Sequence, residues 1–64
     1  MKIKSDYIKF LMNGMTVKEL AEKTNVSYTW LSTVLAKGDA SMKLVDKIAN
    51  VLNAEPIDIV ILDD

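Results

Sequence analysis

Apolar positions recur at helical spacing in four runs, and polar caps and turn residues separate the runs. Tyr7, Ile8, Leu11 and Met12 make the first stripe. With Ser5 as its N-cap, this stripe predicts a helix over about 6–13 that Asn13-Gly14 ends. Val17, Leu20, Ala21 and Thr24 make the second stripe, with Lys18, Glu22 and Lys23 on the opposite side. Thr16 stands where an N-cap belongs, and Glu19 completes a capping box three residues on, so a helix is expected over about 17–24. Met15, just before that cap, is placed to staple onto Leu20. Leu31, Val34 and Leu35 form the inner face of a third helix, from the Ser27 cap to about Lys37, with Gly38 ending it. Leu44, Val45, Ile48, Ala49 and Leu52 form the fourth stripe behind Ser41, with Met42 at its margin and Asn53 as terminator.

Only Asn25 and Val26 lie between the second helix and the Ser27 cap. A turn that tight calls for a residue with positive φ, which Gly meets best and Asn next. Val26 is then placed to plug the elbow. At both ends of the chain the helical pattern fails. Residues 1–4, MKIK, alternate in polarity and read as a short strand. Pro56 suits the first turn of a helix, yet Ile57, Ile59, Val60 and Ile61 are β-branched and favour a strand. The reading is a helical turn at about 56–60, followed by an extended segment over 60–63 that pairs with 2–4. The expected fold is all-α, a compact domain of four to five helices over residues 1–64, with short N- and C-terminal strands pairing.

The stretch TVKELAEKTNVSYTWLSTVL, residues 16–35, carries ELA, then NVS, then WLS and V. In that order and spacing it resembles the helix-turn-helix of the phage Cro/cI-type (Xre-like) repressors. A common pattern there is Ser-Gln-x-x-Leu-Ala, a small turn residue, an apolar residue, Ser, two exposed residues, then x-Ile/Leu-Ser. Ala21 matches the small residue where the two helices touch, Asn25 the turn, Val26 the elbow, and Leu31 and Val34 the buried face. The resemblance covers the central motif well and the rest loosely. It implies a lambda-repressor-like DNA-binding domain, with the motif at about 17–37 and the helix over about 27–37 in the DNA major groove.

Base reading then falls to Tyr28, Thr29, Ser32 and Thr33. Thr methyls contact a thymine methyl, and hydroxyls bond several base edges. Phosphate contacts fall to the Val17 and Lys18 amides at a helix start, and to the Lys18, Lys37 and Lys43 ammonium groups. The family habit is a homodimer on a palindromic operator. The apolar run from Ile57 to Leu62, above all Ile57, Ile59, Val60 and Ile61, is the candidate dimer surface; the alternative is that it covers the monomer's own core. Trp30 lies beside the buried face and is expected to pack against the fourth or second helix, its indole N–H within reach of a phosphate as the other role. Three departures stand out. Val17 occupies a position where the family often has Gln, the helix before Gly38 is one residue longer than in many relatives, and the chain has no arginine for bidentate guanine reading.

Charge bears on that picture. The chain is net −1, but residues 1–52 hold eight lysines against five acids, while Glu55, Asp58, Asp63 and Asp64 make the last twelve residues acidic. Such asymmetry orients a protein on DNA with its acid facing away; an ordinary solvated surface is the other reading. The absence of His and Cys excludes the usual zinc sites and the Ser-His and Cys-His nucleophile systems, so neither metal, cofactor nor enzyme activity is expected. The carboxylate pairs read as solvated surface. No apolar run is long enough for a membrane span, and MKIKSD lacks the core of a signal peptide. The cytoplasm of a bacterial or phage-infected cell fits. A single small domain is expected, with no room for a ligand sensor or a self-cleaving module. The leading expectation is a sequence-specific DNA-binding transcriptional regulator, a Cro-like repressor. A protein-binding antirepressor-type module that pairs with another repressor is the alternative, and a purely structural helical domain the third.

Overall fold

A computed structural model describes residues 1–62. Among these residues five helices follow one another: α1 Ser5–Met12, α2 Val17–Thr24, α3 Tyr28–Lys37, α4 Met42–Val51 and α5 Pro56–Ile59. Their starts are set by local hydrogen bonds. Thr16 Oγ1 accepts the Glu19 amide at 3.1 Å, and Glu19 Oε1 accepts the Thr16 amide at 3.1 Å, so the capping box is complete. Ser27 Oγ accepts the Trp30 amide at 3.0 Å, and Ser41 Oγ accepts the Leu44 amide at 3.3 Å. Their ends are set by left-handed residues: Asn13 (φ 48°), Asn25 (φ 59°), Gly38 (φ 71°) and Asn53 (φ 56°). Past Asn25, the Val26 amide returns to the Ala21 carbonyl at 3.0 Å, which closes the helix before the chain turns.

Two boundaries differ from expectation. Ser5 is the first residue of α1 rather than its cap, and its Oγ donates to the Leu35 carbonyl at 2.7 Å, tying α1 to the end of α3. The fourth helix stops at Val51, with Leu52 in the cap position and partly buried.

α2 packs against both α3 and α4, and α5 packs against α4 and α1. The centre is filled by Ile8, Leu20, Leu31, Val45, Ile48 and Ile59, all fully buried. Thr24 is the buried polar residue of the core, and its hydroxyl donates to the Leu20 carbonyl at 2.8 Å, so burial leaves no orphan donor. On α1 the buried stripe is narrower than predicted. Ile8 and Met12 are inside and Leu11 is partly so, while Tyr7 is exposed and its ring stacks on Phe10 at 6.3 Å.

The expected pairing between the chain's two ends is present, as single bridges rather than strands. Ile3 pairs antiparallel with Val60; the Lys4 amide donates to the Ile59 carbonyl at 2.8 Å, and the Ile61 amide to the Lys2 carbonyl at 2.9 Å. Position 63 of the predicted extended segment, with the acids Asp63 and Asp64, lies outside the described residues. Residues 1–4 also pair on their other side. Lys2 bridges to Asp39, the Ile3 amide donates to the Gly38 carbonyl at 2.9 Å, and the Ala40 amide to the Met1 carbonyl at 2.9 Å. The first residues thus form a middle extended segment, bonded to 38–40 on one side and to 59–61 on the other.

This arrangement corrects part of the candidate dimer surface. Ile59 is fully buried and Val60 is 5% exposed. Ile59 ends α5 on the side that meets α1 and α4, and Val60 sits opposite Ile3, so both belong to the core. Alternation along the extended segment leaves the next residue, Ile61, outward. Ile57, Ile61 and Leu62 are exposed.

Candidate nucleic-acid interface

The short α2–α3 turn and the packing of Leu31, Val34 and Leu35 fix which side of α3 faces out. Thr29, Thr33 and Ala36 recur at i, i+4 and i+7 and form one exposed row. Tyr28 stands exposed at the start of the helix, and Ser32 is half-buried beside the row. The Thr33 hydroxyl donates to the Thr29 carbonyl at 2.9 Å, so its proton is engaged and its oxygen is left to accept. The four residues assigned to base reading therefore share one helix, with Thr29 and Thr33 at the middle of its open side and Ser32 the most withdrawn.

At the start of α2, Thr16 Oγ1 takes the Glu19 amide and the Thr16 carbonyl takes the Leu20 amide. The Val17 and Lys18 amides precede these and have no intrahelical acceptor. The Val17 side chain packs on the core, while Lys18 is exposed. Glu19 sits at the same helix end. Hydrogen bonds from the Thr16 backbone amide and then from its hydroxyl hold the Glu19 carboxyl below its usual range. Lys37 and Lys43 are exposed at the end of α3 and the start of α4. Next to them the Met1 ammonium lies 2.6 Å from Asp39 Oδ1. That bond first, and the ammonium charge second, hold the Asp39 carboxyl below its ordinary value. The acid nearest the end of α3 is thereby matched by a cation.

Trp30 departs from expectation. It borders α4, but at 56% exposed it is not a core residue. The start of α4 lies beside it, with Lys43, Leu44 and Lys47 across a groove from the indole. Its indole forms a ridge between two grooves. One, of about 310 Å³, is bounded by Thr33, Val34, Lys37, Asp39 and Ala40. The other, of about 140 Å³, is bounded by Val26, Lys43, Leu44 and Lys47, and Ser41 borders both. Sequence reasoning missed Lys47 as a neighbour of this ridge; its spacing of four from Lys43 on α4 is the signal that placed both on one face.

The model of the Cro/C1-type helix-turn-helix DNA-binding domain matches residues 11–64. The chain belongs to this family. No curated protein and no solved structure matches it. The Cro/C1-type match takes in the end of α1, the whole α2–α3 motif and α4–α5. Residues 1–10, which supply the middle extended segment and the Tyr7–Phe10 stack, precede the matched part. Among the described residues no helix is long and apolar enough to cross a membrane. The Cro/C1-type assignment makes this a DNA-binding domain, and α3 is the second helix of its motif.

Proposed function

We propose that the protein is a sequence-specific, non-catalytic transcriptional repressor of the Cro type, acting in the cytoplasm. The observation that carries this is the open row on α3: Thr29 and Thr33 exposed at its centre, Tyr28 and Ser32 flanking, on the second helix of a helix-turn-helix. In this reading α3, with its Ser27 cap, lies in the major groove with its first turns nearest the bases. The Thr33 oxygen accepts from a base amino group, since its proton is already used, and threonine methyls meet thymine methyls. The Val17 and Lys18 amides, with the Lys18, Lys37 and Lys43 ammonium groups, take the flanking phosphates and fix the register. Two copies bind a palindromic operator, joined through the exposed Ile57, Ile61 and Leu62.

A second reading, a protein-binding antirepressor-type module, is favoured by the stacked Tyr7 and Phe10 rings exposed on α1, with Phe10 75% accessible, and by the lack of arginine. Titration of labelled duplex DNA at about 50 and about 200 mM salt separates the two. Saturable binding that weakens steeply with salt supports the repressor; no binding at the lower salt supports the protein partner. Against a duplex selected from a random pool, Thr29→Ala and Thr33→Ala are each expected to weaken binding by about tenfold, and random duplex by much less. Thermal melting should stay close to the parent for Thr29→Ala. If both variants bind the selected duplex like the parent, the reading face is misassigned.

A further inference from the structure

The smaller groove beside Trp30 has a composition that the open row on α3 does not account for. Its walls are Val26, Trp30, Ser41, Lys43, Leu44 and Lys47. Two are lysines and none is an acid. Among the described residues neither lysine has an ion-pair partner. The floor is apolar, from Val26 and Leu44, and one side is the exposed indole. At about 140 Å³ the groove is well below the roughly 300–1,000 Å³ typical of small-molecule pockets. An occupant that suits it is narrow and apolar in the middle and anionic at either end. A deoxyribose between two phosphates has that character. The groove also lies between α3 and the start of α4, at Trp30, the residue after Thr29.

We propose that Trp30, Lys43 and Lys47 form a backbone seat for duplex DNA alongside the reading helix. The indole packs along a deoxyribose, and the two ammonium groups, one helical turn apart on α4, take the phosphates before and after it. Trp30 and Lys47 are positioning residues in this arrangement. They hold α3 at a fixed depth in the groove and are indifferent to sequence, because sugar and phosphate are the same at every step. The proposal rests on the reading of α3 as the DNA-facing helix. It explains why the chain's single tryptophan stands in solvent beside a helix whose buried side is already filled by Leu31, Val34 and Leu35.

Two readouts on one titration test it. Labelled-duplex anisotropy reports binding, and emission of the single tryptophan reports the seat. For the parent, indole emission is expected to change and saturate at the same midpoint as anisotropy, with random and selected duplexes alike. Trp30→Ala should weaken both duplexes by a similar factor, about three- to tenfold, and Trp30→Phe by less. Lys47→Gln should lower the slope of log affinity against log salt by about one, again for both duplexes. Thr29→Ala, by contrast, changes the ratio between the duplexes. Lys47 is exposed, so Lys47→Gln keeps the test decisive even if Trp30→Ala melts early. Saturable anisotropy with flat indole emission, or with Lys47→Gln matching the parent's salt slope, overturns the seat and leaves α3 as the reading helix. A parent that binds neither duplex at low salt overturns both.

Discussion

Asn25 carries more than its size suggests. Its φ of 59° lies in the left-handed region, where a Cβ crowds the following carbonyl. Asn tolerates that conformation better than other residues with a side chain, and it lets the chain leave α2 and enter α3 within a few residues. Asn25→Ala is expected to cost about 1 kcal/mol and Asn25→Gly to be nearly neutral, as read by urea denaturation. This position was legible because the apolar rhythm breaks there and a serine cap follows. Asn53 was legible because the apolar stripe of the fourth helix stops just before it. Ser5 was not. Its hydroxyl bonds the Leu35 carbonyl, thirty residues along the chain, and no local pattern announces such a partner. Trp30 was misplaced for a related reason. Periodicity puts it beside the buried row, but whether the neighbouring α4 comes close enough to cover it depends on how α2, α3 and α4 stack.

Among the elements, α2 is the most completely specified. Its stripe, its capping box and its left-handed stop all agree, and its start supplies the amides proposed to meet a phosphate. The Glu19 carboxyl, lowered by its bonds from Thr16, gives that start a pH dependence. A carboxyl whose folded-state value is depressed adds stability above its unfolded value, about 4.3 for glutamate. That contribution disappears as pH falls through the lowered folded-state value. Glu19→Gln keeps an acceptor but not the charge, so a series of thermal melts from pH 7 to about pH 3 should fall less steeply below about pH 4.3 than for the parent. A parallel acid limb in parent and variant would mean that the box is too exposed to matter. The last helix shows how two opposed signals were both right. Pro56 starts α5, and the β-branched run converts it after Ile59 into an extended pair with Ile3. What sequence could not supply there was the count of inward positions, so dimer surface and core cover both stayed open for Ile59 and Val60, and their burial places them in the core.

Over the whole molecule, the extended segment 1–4 joins what the helices leave apart. One side of it holds 38–40, directly after α3, and the other holds 59–61, directly before the exposed Leu62. The pairing with 59–61 was readable from MKIK and the closing β-branched run, whereas 38–40 looked like an ordinary loop because Gly38 and Asp39 are common loop residues. The Met1 ammonium fastens that loop through Asp39. Acetylating the amine or making Asp39→Asn is expected to speed amide hydrogen exchange at Ile3 and Ala40 while leaving Val45 and Ile48 at the global rate. Unchanged exchange at all four would show that the charge pair adds nothing. Time gives this arrangement a further meaning. Helices α2 to α4 meet through neighbours close in the chain, whereas Ile3 and Val60 must close nearly its full length. The end of α3 therefore gains its final anchor late in folding, and each brief detachment of the first four residues frees it again long before the helices themselves let go.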